Sequence, residues 1–228
     1  MGTVILIRHA RSVANADNVL AGQTPGVTLD PIGLQQSKNL ANQLGDISIA
    51  KVFVSPLERC LHTINPWLQS FGKDVPVHSD FRIIEPDYGL WSGRKLAELS
   101  TEKLWEQVQN NPAQVQFPQG ERFIDVWDRV GSFYESLTEL ASSEANYLIV
   151  SHGDIIKFLV ARILKMEFKN FQKLMVEPGS LTIAKFQEKE AKLVQFNRSD
   201  ADLRSLLTVG AQSTLGGEQS THPHRREF

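Results

Sequence analysis

A single cysteine in 228 residues excludes an internal disulfide, and with it the disulfide-stapled secreted scaffolds; Cys60 suits a reducing compartment. It also excludes a cysteine-rich zinc site. Neither sign of charge is in surplus: 24 Lys and Arg stand against 26 Asp and Glu, a formal net charge of −2. Without a global basic field, nucleic acid is not an expected partner, and any anion must be met by a local cluster of Arg and His. No apolar run approaches a membrane span, so no membrane association is expected. Met1-Gly2-Thr3 lacks a charged leader, and the apolar run behind it stops within a few residues. Met1-Gly2 begins like a myristoylation site, but Leu6 stands where Ser or Thr is needed. A cytoplasmic location is the expectation.

What is present is a 41% hydrophobic, 22% charged chain, enough for one large core or a core with a subdomain. Four runs rich in Val, Ile and Phe read as strands: 3–7, 51–54, 146–151 and 181–186. The segments 181–186 and 191–196 flank a polar turn and read as an edge hairpin, a candidate homodimer contact. Helical patterns lie between the strands. Residues 31–44 end at Gly45. Residues 57–71 follow Ser55-Pro56, with Pro66 predicting a kink or an early end. Residues 122–141 carry Phe123, Val126, Trp127, Val130, Phe133, Tyr134, Leu137 and Leu140 on one stripe, which reads as core. Residues 154–164 follow the third strand, and a further helix is expected near 95–109. Alternating strands and helices predict a three-layer α/β/α sandwich with a mostly parallel sheet. Residues 73–120 read as an excursion bearing a substrate loop. The predicted domain runs over 1–198. Residues 199–228 have the composition of an unstructured low-complexity tail, in which His222 and His224 read as solvated.

Three strands switch abruptly from apolar to polar. Leu6-Ile7 runs into Arg8-His9, Val52-Phe53-Val54 into Ser55-Pro56-Leu57-Glu58-Arg59, and Ile149-Val150 into Ser151-His152-Gly153-Asp154. In a parallel sheet these ends face one side, where ligands bind. Two guanidiniums and two imidazoles converging there make a pocket matched to phosphate. A helix opening at Gly153 adds N–H groups, the positive end of its dipole and a close backbone approach. A neutral imidazole can attack phosphorus through one nitrogen while a carbonyl holds the other. A leaving alcohol then needs a proton. Glu85 is a candidate, equally readable as an exposed loop acid; Asp87 and Asp154 are alternatives. His62 and His78 read as surface positions.

These residues resemble the histidine phosphatase superfamily, the phosphoglycerate-mutase-like proteins. The likeness runs in order through Arg8-His9-Ala10, Ser12, Asn15, Leu29-Asp30-Pro31, Ser55-Pro56-Leu57-Glu58-Arg59, Glu85-Pro86-Asp87-Tyr88-Gly89, Gly120-Glu121, Arg129-Val130 and Ser151-His152-Gly153-Asp154. The resemblance implies that His9 is the phosphorylated nucleophile. It implies that Arg8, Arg59 and His152 complete the phosphate pocket and that Glu85 donates the proton. Asn15, Glu121 and Gly153 are implied substrate contacts, and no cofactor or metal is implied. Ala10 stands where the family most often has Gly. The Arg-Arg-Ser stretch of the glycolytic mutases is absent between Glu85 and Gly120. The expectation is therefore a metal-independent phosphomonoesterase acting on a small phosphorylated metabolite. A phosphoglycerate mutase-type transferase and an inactive phosphate-binding module are the alternatives. A divalent-metal hydrolase is disfavoured because no paired carboxylates accompany His9 and His152.

Overall fold

The computed structural model describes residues 2–141, 144–188 and 190–199; all of the expected tail beyond Ser199 lies outside the described residues. Six strands form one sheet: β1 (Gly2–Arg8), β2 (Lys51–Val54), β3 (Val77–Ser79), β4 (Asn146–Ser151), β5 (Leu181–Gln187) and β6 (Glu190–Arg198). Their order is β3-β2-β4-β1-β5-β6. The first four in that order pair in parallel, whereas β5 and β6 run antiparallel, as the hairpin expected there requires. β3 was not foreseen. It is three exposed residues, Val-His-Ser, with no apolar run to announce it.

The interior strands alternate between two cores, as a sheet covered on both faces must. Val4, Leu6, Tyr147 and Ile149 join the larger core, and Ile5, Ile7, Leu148 and Val150 the smaller one. The smaller core is closed by α2 (Pro31–Leu44) and α3 (Glu58–Ser70), which follow the short α1 (Val13–Ala16). Asp30 caps α2 by accepting from Gly33 N. α3 continues through Pro66 to Ser70 instead of ending early. Proline removes the N–H that would bind the carbonyl four residues back. That carbonyl belongs to His62, and the Ser37 hydroxyl of α2 shares its one hydrogen between it, at 3.1 Å, and Thr63 O, at 2.8 Å.

The larger core lies under α6 (Phe123–Leu140) and α7 (Gly153–Ile163). The expected stripe of α6 is buried at Phe123, Val126, Val130, Phe133 and Leu137, while Leu140 is exposed. The excursion holds α4 (Leu96–Leu99) and α5 (Lys103–Asn110), two helices where one was expected over 95–109. Its ends are joined backbone to backbone. Leu90 N donates to Pro118 O and Glu121 N to Asp87 O, each at 2.8 Å. The join needs Gly89 and Gly120: a Cβ on the first would lie 2.0 Å from Pro118 O, and one on the second 2.3 Å from Asp87 O.

Candidate active site

Strand register builds the centre. β1 pairs with β4 so that Arg8 faces Ser151. The next residue on each strand is a histidine, and the rings of His9 and His152 meet edge to face with centroids 5.2 Å apart. β2 lies on the other side of β4 and delivers Ser55, whose Oγ is 2.7 Å from His152 Nε2. Arg59 enters from the first turn of α3, and Gly153 opens α7. Arg8, His9, Arg59 and His152 are all at most 2% exposed.

Each group is held from outside the pocket. The Arg8 guanidinium donates to Val176 O, and Arg59 Nη2 donates to Gly22 O at 2.8 Å. Arg59 Nε is buried with no hydrogen-bond partner, a donor left for a ligand. His9 Nδ1 lies 2.8 Å from Ala10 O, so it carries the hydrogen and Nε2 keeps the lone pair. Ala10 is buried, and its N–H donates to Thr63 Oγ1 at 2.8 Å, while that hydroxyl donates to Arg59 O at 2.7 Å. Thr63 thereby ties the segment after β1, which carries His9, to the first turn of α3, which carries Arg59.

Glu85 completes the cluster. Its Oε2 stands 3.0 Å from His152 Nδ1 and 3.6 Å from Arg59 Nη2, and its Oε1 is 3.2 Å from the Tyr88 hydroxyl. Burial raises its carboxyl above the usual range, outweighing the opposing pull of Arg59 and Arg8. Burial, then the charges of Arg59 and Arg8, push His152 well below its ordinary value, so its contact with Glu85 is a neutral hydrogen bond. His9 is pushed down well below by burial, then by Arg59, His152 and Arg8. An imidazole held toward its neutral form thus faces a carboxyl that holds its proton more tightly than usual, across a cationic pocket. Cys60 Sγ lies 3.5 Å from His152 Nε2, but burial pushes its thiol up to about 12, which leaves it inert.

The loop bearing Glu85 is braced by Arg129 and Glu121, which stand in the Arg129-Val130 and Gly120-Glu121 motifs, and by Gln23, which no local signal announces. Arg129 Nη1 donates to the carbonyls of Arg82 at 2.8 Å and Ile84 at 2.9 Å. Gln23 Nε2 donates to Glu85 O at 2.8 Å. Glu121 accepts two Arg129 bonds, at 3.0 and 3.1 Å, and one from Asp87 N at 2.8 Å. Its oxygens therefore serve the loop, which sets it apart from the other expected substrate contacts. Asn15 turns its amide oxygen to the Ser12 hydroxyl at 2.8 Å, leaving the NH2 end for a ligand. Asp87 is turned to its own loop through Gly89 N, and Asp154 is buried beneath Tyr88. His62 and His78 are exposed, as expected.

His9, Glu85 and His152 also offer ligand atoms within 4.8 Å of one another, a set that could hold a metal ion. Two fixed guanidiniums beside them oppose a dication and favour a phosphate dianion.

The sequence profile described as the histidine phosphatase superfamily (branch 1) matches residues 4–199. The chain belongs to the histidine phosphatase superfamily. Its reaction class is that of a phosphoric monoester hydrolase. The chain is 28% identical over 204 residues to phosphoserine phosphatase 1 of Hydrogenobacter thermophilus, covering 86% of this chain and 92% of that protein. It is 27% identical over 222 residues to the 2,3-bisphosphoglycerate-dependent phosphoglycerate mutase of Thermoplasma acidophilum, covering 93% and 94%. Among solved structures, the alpha-ribazole phosphatase of Shigella flexneri superposes with a TM-score of 0.76 at 31% identity, covering 86% of this chain and 96% of that one. This superfamily fold is the three-layer sandwich expected from the strand and helix pattern.

Proposed function

We propose that this chain hydrolyses a small phosphorylated metabolite without a metal, through a phosphohistidine on His9. The observation that carries the reading is His9, with Nδ1 held by Ala10 O, beside two buried guanidiniums and a buried carboxyl whose proton affinity burial raises. The Nε2 lone pair attacks phosphorus and the ester P–O bond breaks. Glu85 gives its proton to the departing oxygen. Arg8 and Arg59 bind the phosphoryl oxygens as charge spreads over them, and His152, which donates to Glu85 in the resting arrangement, turns its Nδ1–H to a phosphoryl oxygen when substrate is bound. Water then attacks phosphorus, its proton passes to the Glu85 carboxylate, and the P–N bond returns its electrons to Nε2. Asn15 and the N–H groups at Gly153 supply further donors, and the guanidiniums supply the positive charge a metal would otherwise bring.

Hydrolysis is favoured over bisphosphate-dependent mutase chemistry because the Arg-Arg-Ser stretch of the glycolytic mutases is absent between Glu85 and Gly120. A cleft of about 140 Å³ between residues 23–27 and 56–59, beside Arg59, suits a small leaving group. Among the described residues no helix is long and apolar enough to cross a membrane, which accords with a cytoplasmic enzyme. Residues 1–198 form the catalytic domain in this reading. Phosphate release from phosphorylated sugars, glycerates, amino acids, nucleotides and phosphopeptides tests it. One of the small metabolites turns over and leaves an acid-labile, base-stable phosphoryl group on the protein. Release only from phosphopeptides, or conversion of 3-phosphoglycerate without release, would overturn it.

A further inference from the structure

A buried hydrogen-bonded chain leads away from Glu85 into the protein. Tyr88 Oη lies 3.2 Å from Glu85 Oε1 and 2.9 Å from Asp154 Oδ2. Asp154 Oδ1 lies 3.6 Å from Lys157 Nζ, and that ammonium donates to Gln172 Oε1 at 3.3 Å. Tyr88, Asp154 and Lys157 are fully buried. Asp154 and Lys157 sit three residues apart on α7, directly behind His152. The phosphoryl-transfer steps above use none of the three.

The chain has a countable set of hydrogens. Its four contacts are Ser55 to His152, His152 to Glu85, Glu85 to Tyr88, and Tyr88 to Asp154. Each contact needs one hydrogen between its two heavy atoms. Ser55, a neutral His152 and Tyr88 bring three. The fourth must sit on one of the two carboxyls. A phenol has one hydrogen and cannot serve two carboxylates at once. Lys157 decides the matter electrostatically, because its ammonium favours charge on Asp154. Tyr88 then donates to Asp154, the shorter contact, and the remaining hydrogen belongs to Glu85.

We propose, taking Glu85 as the proton donor, that Asp154 and Lys157 act through the Tyr88 hydroxyl to keep the shared hydrogen on Glu85, and are positioning residues for proton delivery. When Glu85 releases its proton, its O–H bond breaks and an O–H bond forms on the leaving oxygen. The Tyr88 hydroxyl rotates toward the new carboxylate, and Lys157 remains to balance Asp154. The proton taken from water in the second step restores the first arrangement. The other groups facing Glu85 are Arg8 from β1, Arg59 from α3, His152 after β4 and Arg129 from α6. All are unchanged in the variants below, so a difference between variants reports the relay.

The test is the basic limb of the pH profile of kcat, with an alkyl phosphate and an aryl phosphate, alongside a ¹³C-carboxyl NMR titration of Glu85. In Asp154→Asn, Tyr88 turns its hydrogen to Glu85. The carboxylate forms earlier, and both the alkyl-phosphate limb and the NMR midpoint fall by about one pH unit or more. The aryl-phosphate limb stays in place. Lys157→Met moves the hydrogen to Asp154 and gives the same direction. The double variant falls no further than Asp154→Asn alone. In a Tyr88→Phe background, which keeps the Asp154–Lys157 pair intact, Asp154→Asn has no effect on either midpoint. An unchanged Glu85 midpoint in Asp154→Asn, or a uniform loss at every pH on both substrates, overturns the relay. If the wild type releases phosphate from no substrate, the phosphatase reading falls, while the NMR titration still decides the relay.

Discussion

The site has two halves built by different means. The half proposed to bind the anion, Arg8, His9, Arg59 and His152, hangs from strand ends and the first turn of a helix, so the sheet register fixes it. The half proposed to donate the proton, Glu85, sits between two 3-10 turns, Phe81–Ile83 and Gly89–Trp91, and no sheet hydrogen bond holds it. Its backbone is pinned by side chains from far along the chain, Arg129 and Gln23. Regular structure gives rigidity to the charge that must be fixed. Long-range polar bracing gives position to the group whose protonation must change.

The most severe way to break this contrast is His9→Ala. It removes the covalent route and leaves the sheet intact. Phosphate release falls roughly ten-thousandfold or more, and the phosphoryl group disappears from the trapped protein. Near wild-type turnover would reject His9 as the nucleophile. Next is Glu85→Gln, which keeps size and shape but removes the proton. Turnover of alkyl phosphates drops roughly a hundredfold to ten-thousandfold, while aryl phosphates, whose anions leave unaided, lose little. Equal losses on both would make Glu85 a binding residue instead.

Arg129→Met sharpens the comparison by attacking the brace alone. It frees the carbonyls of Arg82 and Ile84 and loosens Glu121. Alkyl-phosphate turnover falls up to roughly a hundredfold, from misplacement of Glu85. Vanadate affinity, which reads the strand-end half, holds. Thr63→Val does the reverse. It leaves the buried Ala10 N–H without an acceptor, costing about 1–3 kcal/mol of stability in urea unfolding, with the leaving-group dependence unchanged. The smallest effect is that of EDTA, which leaves activity unaltered; loss restored by magnesium or zinc would assign His9, Glu85 and His152 to a metal.

The sequence carried the first half far better than the second. Apolar runs that stop at Arg-His and Ser-His are local signals, and parallel register converts them into one site. The bracing contacts are not local. Arg129 reaches back 45 residues to Ile84, Ala10 reaches Thr63 across 53, and Tyr88 reaches Asp154 across 66. Tyr88, Arg129 and Asp154 stand in recognisable motifs, but nothing local to any of them names its partner. The Gly120-Glu121 motif likewise marks a carboxylate without showing that it accepts from Arg129 and Asp87. β3 went unseen because an exposed three-residue strand has no period to detect. Pro66 was read by the local rule, while Ser37 on the neighbouring helix shares its hydrogen with the carbonyl that the rule leaves bare.

The join at Gly89 and Gly120 has a consequence for how such an enzyme can change its substrate. Two stretches of main chain meet there with no room for a side chain between them. The contact runs between main-chain atoms, and the side chains that brace it are Asp87, Gln116 and Glu121. The outward faces of the excursion can therefore be rewritten, residue by residue, without loosening the seam that anchors Glu85 beside it. A selection for new substrates that randomises only the exposed positions of residues 90–119, sparing the two glycines, Gln116 and the buried Trp91, Leu96, Leu99, Val108, Val115 and Phe117, should keep the reaction while its target drifts.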